Sequence, residues 1–282
     1  MMTLSFHKLD QSPVIDLPNI TAARQELVRM LIGDTLQPGL HGLLKHAGEV
    51  LSVQSQETVL FCAAEPVDGA VLLARTFNCR VHALATRPEA RMQTELLERG
   101  RQRLSNAGVA EIVTLGAASL EDLTQLDACY DVLLTEGSFA AAGNKFAAAE
   151  AMTAVLRSDG RIGLAEPTIY LDLMPDELRP LFVRLPFLAG ARPAPVYRSM
   201  LGESGLTAFV TEDRRIDLQR ALNALQNKLQ PSDDPVTSDD EIPRSVYEEA
   251  DDVAASLRIA LRILSLLDQG VASYVLISAE KP

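Results

Sequence analysis

Cysteine is scarce in this chain of 282 residues. Cys62, Cys79 and Cys129 lie in apolar runs, are odd in number and lack CxxC spacing, so a disulfide framework is excluded and a reducing compartment is expected. Positive charge is also short: 26 Lys and Arg face 38 Asp and Glu, for a net charge of -12. Neutralising a phosphate backbone needs clustered Lys and Arg; none are clustered, which excludes nonspecific nucleic-acid binding. No apolar run approaches the roughly eighteen residues of a membrane span. Met1 to Lys8 lack a basic stretch followed by an apolar core. We therefore expect a cytoplasmic protein that neither spans nor leaves through a membrane.

What is present is a globular composition, 47% hydrophobic and 23% charged, in a chain long enough for one large domain. Residues 1–50 read as an N-terminal arm followed by helices. Thr21 is an N-cap candidate ahead of Leu27, Met30 and Leu31 at helical spacing; Gly33 to Gly39 breaks that helix, and a second begins at Leu40. Residues 51–282 read as the main domain. Strands are expected at 58–63, 80–85, 111–115, 130–135 and 161–165, and helices at 68–76, 88–107, 119–126 and 144–157. Asp159-Gly160 is read as a tight turn into the fifth strand. Such alternation, with near-continuous apolar strands, predicts a parallel sheet covered on both faces.

After the fifth strand the pattern breaks. Residues 167–198 mix prolines with Leu, Phe and Tyr170, which precludes one regular helix and suggests a lid or a partner surface. A short helix is expected at 200–205, a strand at 206–211, helices at 214–229 and 245–268, and a last strand at 271–278. Residues 230–244 are acidic, prolyl and poor in apolar side chains, as in a mobile linker.

Glycine is missing where the architecture calls for it. In a doubly wound domain the first strand ends beside the ligand, and glycine lets the backbone approach closely. Here Ala63 is followed by Ala64, Glu65, Pro66, Val67 and Asp68, with the first glycine at Gly69. The turn has the place of a nucleotide or nucleoside site without its usual residues.

The strand Thr58 to Ala63, the segment Tyr130-Asp131-Val132-Leu133-Leu134-Thr135-Glu136, the run Ala154 to Ile162 and the phrase Leu201-Gly202-Glu203-Ser204-Gly205-Leu206 carry a family resemblance. Residues 33–282 resemble class I S-adenosylmethionine-dependent methyltransferases, particularly the branch with ubiquinone and arsenite methyltransferases. The resemblance implies a Rossmann-like α/β fold: a mostly parallel seven-stranded sheet, helices on both faces and an antiparallel C-terminal edge strand. It implies S-adenosylmethionine as cofactor and methyl transfer as activity. Carried over residue by residue, most cofactor contacts are absent. Phe61 stands where an acid is usual, and Ala63, Glu65 and Val67 replace glycines. Ala85 stands for the acid that holds the ribose, and Ala117 for the acid that orients the adenine. Gln37-Pro38-Gly39-Leu40 resembles a His-Pro-Gly-Gly phrase of some members, with two positions changed.

Other residues could carry different chemistry. Glu65, Glu136 and Glu166 are expected at the carboxyl ends of the first, fourth and fifth strands. Glu65 and Glu136 could share a pocket, one raising the other's pKa or both receiving a cation; the plainer reading is two solvated loop acids. Arg87 could favour a ligand with phosphate or carboxylate, or be an ordinary exposed residue. His41 and His46 are five apart, not the four that sets imidazoles side by side, and no metal site is expected. His82 and Cys62 read as packed residues, and Ser138 lacks the second glycine of a nucleophile elbow. Three functions follow: a noncatalytic or accessory methyltransferase-like protein, an active methyltransferase with an atypical site, or a binder of another small ligand in the same crevice. A protein partner or self-association through the C-terminal helices fits the first.

Overall fold

The computed structural model describes residues 37–86, 90–174, 176, 190–217, 219–220, 266 and 269–282, with the backbone alone for 37–41 and 90–96. In chain order the elements are α1 (Gln37–Val50), β1 (Thr58–Ala63), α2 (Val67–Phe77), β2 (Arg80–Ala85), α3 (Ala90–Asn106) and β3 (Val113–Ala117). A 3-10 turn (Leu120–Gln125), β4 (Tyr130–Glu136), the single-turn α4 (Ser138–Ala141), α5 (Lys145–Ala154) and β5 (Leu156–Ile169) follow. After a 3-10 turn (Leu171–Leu173) come α6 (Ala194–Glu203), β6 (Thr207–Asp213) and β7 (Ala272–Glu280).

Seven strands form one sheet in the order β3-β2-β1-β4-β5-β7-β6. The first five run parallel, and β7 pairs antiparallel with both β5 and β6, which makes the antiparallel edge. The apolar strands are apolar because both faces are covered. Leu43, Leu44 and Ala47 of α1 join α2, Leu104 of α3 and the inward side chains Val59, Phe61 and Val132 on one face. The 3-10 turn, α4, α5 and α6 pack on the other, around Leu60, Leu133, Ile162 and Leu164. At about 25 cal/mol per Å² of apolar area, this two-sided burial is the main force that holds the layers together.

Several boundaries differ from the sequence reading, each for a local reason. The third strand begins at Val113 rather than 111, because Gly108, at φ +69°, ends α3 and Val109 to Ile112 close a turn first. The segment expected as a helix at 119–126 is a 3-10 turn over Leu120–Gln125. α1 starts at Gln37, with Pro38 in the first turn, where its missing N–H has no partner to lose. α6 starts at Ala194, ahead of the expected 200, with Pro195 likewise in its first turn.

The fifth strand is the largest departure: it runs from Leu156 to Ile169, not 161–165. Asp159, at φ +61°, and Gly160 make a bulge inside it, and a Cβ on Gly160 would lie 2.7 Å from the Arg157 carbonyl. Residues 167–169 therefore belong to the sheet rather than to the lid-like segment. Pro167 is tolerated there because β4 stops pairing at Glu136–Ala165, so no ladder bond is lost on that side. The expected helices at 214–229 and 245–268 fall largely outside the described residues, as do residues 1–36, 177–189 and 230–244.

The end of the chain is tied back to the sheet. Lys281 Nζ donates to the carbonyls of Thr153 (2.9 Å), in the last turn of α5, and Leu156 (2.7 Å), the first residue of β5. Lys281→Met keeps the stem but removes both bonds. We expect it to lower unfolding stability by about 1 to 3 kcal/mol in a urea titration, with an unchanged m-value.

Candidate functional site

In open α/β sheets ligands bind beyond the carboxyl ends of the strands, where the strand order reverses. Here that point lies between β1 and β4. The registers place Ala117, Ala85, Ala63, Glu136 and Ala165 side by side across β3, β2, β1, β4 and β5. Register partners project to the same face, so one carboxyl stands in a row of methyl groups. Ala63 and Ala85 are buried, and Ala117 and Glu136 are half-buried. The three alanines contribute no hydrogen-bonding side chain at the ends of β1, β2 and β3.

The residues that replace the expected turn glycines serve packing. α2 begins at Val67 itself, after the short turn Ala64 to Pro66. Val67 is buried, and its side chain lies 2.9 Å from where a Cβ on Gly100 of α3 would stand, with Leu115 of β3 at the same spot. Phe61 is fully buried. Its ring would meet a Cβ on Gly69 at 2.5 Å, with Leu44 of α1 beside it. The acid position of the first strand is thus an aromatic plug between β1, α1 and α2. Glu65 is half-buried in the turn.

A polar bridge closes the other side of the β1 end. Ser138 Oγ donates to the Cys62 carbonyl at 3.1 Å and accepts from Thr86 Oγ1 at 2.8 Å, while the Thr86 N–H donates to the Ala63 carbonyl at 3.0 Å. The ends of β2 and β4 are therefore linked over β1 by side chains. Ser138 is a buried clamp, in keeping with the absence of a nucleophile elbow.

Glu166 does not end a strand: it lies inside β5 and is fully buried. Its carboxylate accepts from Thr135 Oγ1 (2.6 Å), the Phe139 N–H (3.1 Å) and the Ala140 N–H (2.9 Å). Burial pushes Glu166 up to about 7, while these donors and Lys145 pull in the opposite direction. Glu136 is likewise raised to about 7, first by burial and then by the charge of Glu166. Glu166 is thus a neighbour of Glu136 that the strand ends alone did not indicate, because β5 continues past the end of β4. Glu136 is not a freely solvated loop acid, since it is the last residue of β4.

The remaining candidates separate clearly. His82 Nδ1 lies 2.5 Å from the Tyr130 hydroxyl, a packed and bonded pair, and burial lowers the imidazole pKa. Cys62 is buried and its thiol pKa is raised by burial. His46 bonds Glu212 of β6 at 2.7 Å, and no metal-binding cluster exists among the described residues. Arg87 lies outside the described residues, as does the side chain of His41. Sequence reasoning missed Tyr197 and Tyr274. The Tyr197 hydroxyl donates to the Pro167 carbonyl (3.0 Å) and accepts from the Arg192 N–H (2.9 Å), and the Tyr274 hydroxyl donates to the Ala165 carbonyl (2.8 Å). Both belong to segments far along the chain, and only the extension of β5 brings them to the site.

This strand order, with helices on both faces and an antiparallel β6–β7 edge, is the Rossmann-like fold of class I S-adenosylmethionine-dependent methyltransferases. No protein-family model matches the chain. A glycine/sarcosine/dimethylglycine N-methyltransferase from Actinopolyspora halophila is 27% identical over 167 residues, which cover 59% of this chain and 28% of that protein. The match thus spans little more than a quarter of that relative's length. A protein from Galdieria sulphuraria, provisionally assigned as a sarcosine dimethylglycine methyltransferase, superposes with a TM-score of 0.69 at 18% identity over 86% of this chain and 85% of its own. The [4+2]-cyclase SpnF superposes with a TM-score of 0.62 at 15% identity over 86% of this chain and 81% of its own. Other structures with this fold hold S-adenosylmethionine or S-adenosylhomocysteine. Among the described residues, no helix is long and apolar enough to cross a membrane.

Proposed function

We propose that this chain is a methyltransferase-like protein whose S-adenosylmethionine site is eroded, and that it acts as a noncatalytic or accessory member in the cytoplasm. The observation that carries the reading is the row Ala117, Ala85 and Ala63 at the carboxyl ends of β3, β2 and β1. A ribose and an adenine placed against that row meet methyl groups where they need acceptors. Each missing polar contact costs about 1 to 3 kcal/mol. A loss of about 4 kcal/mol takes a micromolar ligand to the millimolar range. The burial of Phe61 and Val67 supports the same conclusion, since both are fixed in the core beneath the turn. A fold that also serves a cyclase is not bound to methyl transfer. An accessory role fits a partner protein, and a reducing location fits three cysteines that are all free.

The second reading is an active methyltransferase that holds the cofactor through backbone groups. It is favoured by the relative named for methylating glycine, sarcosine and dimethylglycine. Calorimetric titration of the full chain with S-adenosylmethionine and S-adenosylhomocysteine separates the two. We expect no saturable heat below about 1 mM, the affinity left after a loss of about 4 kcal/mol. Micromolar binding of either compound would overturn the noncatalytic reading, and methyl-transfer assays with the three amines would then test the second.

A further inference from the structure

Two hydroxyls meet beyond the carboxyl end of β1. Thr86 directly follows the last residue of β2 and Ser138 lies two residues past the end of β4, so β1 runs between them. Their Oγ atoms are 2.8 Å apart. Ser138 also donates to the Cys62 carbonyl at 3.1 Å, and the Thr86 N–H donates to the Ala63 carbonyl at 3.0 Å. The last two residues of β1 are thus tied to both flanking strand ends at the point where the strand order reverses. The alanines that a ligand there has to reach lie inside this closed arrangement: Ala63 is 3% exposed, and Ala85 and Ala165 are fully buried.

The two sides of the bridge are not equally held. Ser138 opens α4, and α4 is fixed from three directions. The Phe139 and Ala140 amides donate to the Glu166 carboxylate, and the buried Lys145 donates through Nζ to the Ala142 carbonyl at 3.0 Å. Gly190 packs so closely on the same turn that a Cβ there would lie 2.0 Å from the Ala140 carbonyl oxygen. Thr86, by contrast, is half-buried, lies past the end of its strand and is held by two bonds, one from its amide and one from its hydroxyl.

We infer that the Thr86–Ser138 bridge is a latch that holds the switch point between β1 and β4 shut, with α4 as the fixed post and Thr86 as the arm that moves. Closure then comes from this chain's own hydroxyls and is separate from the missing acceptors of Ala63, Ala85 and Ala117. Opening at Thr86 breaks two bonds whose half-buried donors can take water instead, while Ser138 keeps its bond to Cys62. Moving α4 would strip a buried carboxylate of two backbone donors, a far larger cost. A ligand that enters the row binds only the open state, so its apparent affinity is set by the fraction of molecules in which Thr86 has swung away. This applies whether or not the crevice takes S-adenosylmethionine.

Amide hydrogen exchange of the full chain, read by NMR, tests the latch in Ser138→Ala and in Thr86→Val, which spares the post. The N–H of residue 86 should exchange about tenfold or more faster in each variant. The amides of Ala118 and Gly137 donate to the Ala85 and Ala165 carbonyls at the neighbouring strand ends, and should stay within about twofold of the wild type. Alanine-methyl labelling with a neutral soluble nitroxide reads access to the row itself. Relaxation of the Ala63 and Ala85 methyls, relative to that of Ala83 deep in β2, should rise about twofold or more from the wild type to either variant. Unchanged exchange at residue 86 in Thr86→Val, equal acceleration at all three amides, or a nitroxide effect that stays at its wild-type value would each overturn the inference.

Discussion

Replacing Phe61 by Asp, the residue type the family resemblance leads one to expect there, should destabilise the protein by about 4 kcal/mol or more and should not create a cofactor site. The ring is fully buried and lies against α1 and α2, where it would collide with a Cβ on Gly69. Removing a buried Phe costs about 3 to 5 kcal/mol through lost transfer energy and an unfilled cavity. A carboxylate in that cavity finds aliphatic neighbours and must stay neutral or draw in water, which adds to the loss. Denaturant unfolding measures the first part, and titration with S-adenosylmethionine measures the second. A variant as stable as the wild type that binds the cofactor would mean that Phe61 fills a dormant site rather than a structural one. That result would sink the proposed erosion.

Glu166→Ala should be comparably severe, about 3 to 5 kcal/mol by the same unfolding measurement. It leaves two buried backbone N–H groups, those of Phe139 and Ala140, without an acceptor and removes the negative charge facing the buried Lys145. Thr135 can turn its hydroxyl elsewhere; the amides of α4 cannot. The Glu166→Gln variant retains two of the three acceptor contacts but turns an amide donor toward a backbone donor, so a smaller loss of about 1 to 3 kcal/mol is expected. A loss below about 1 kcal/mol in Glu166→Ala would show that α4 is held by its packing alone.

Much of the fold was legible because its signals are local. The limits of β1 and β2 coincide with the expected 58–63 and 80–85, and the cores of β4, α2 and α5 lie within their expected runs. Continuous apolar segments of strand length, and helices closed by Asn78 in the left-handed region and Gly108 at positive φ, carry that information by themselves. The antiparallel β6–β7 edge was expected from the family resemblance and is found. The extent of β5 was not legible. Glu166, Pro167 and Thr168 look like the end of a strand by composition, and they continue as one only because β7, more than a hundred residues later, pairs with them from Ala272 to Glu280.

The candidate site was legible in the same partial way. That Ala63, Ala85 and Ala117 stand at three strand ends follows from counting residues in the chain, and the registers align them in one row. Whether Val67 lined a crevice or a core could not be read, because its partner Gly100 lies on another helix. That Glu166 lies inside β5 beside the end of β4 could not be read for a related reason: its place depends on the β4–β5 register and on the pairing with β7.

By itself, then, the sequence determined the alternating α/β architecture, the alanines at three strand ends and the lack of glycine in the turn after β1. These are properties of residue type and spacing, and no tertiary contact can add a hydrogen-bonding group to an alanine. The tertiary structure alone decided that Phe61 and Val67 are core residues, that Ser138 and Thr86 clamp the end of β1, and that Glu166 lies buried inside β5 and holds the amides of α4. Each depends on which distant segments pack or pair across the sheet. Burial and the proximity of charge, which set those roles, arise only when the chain is folded.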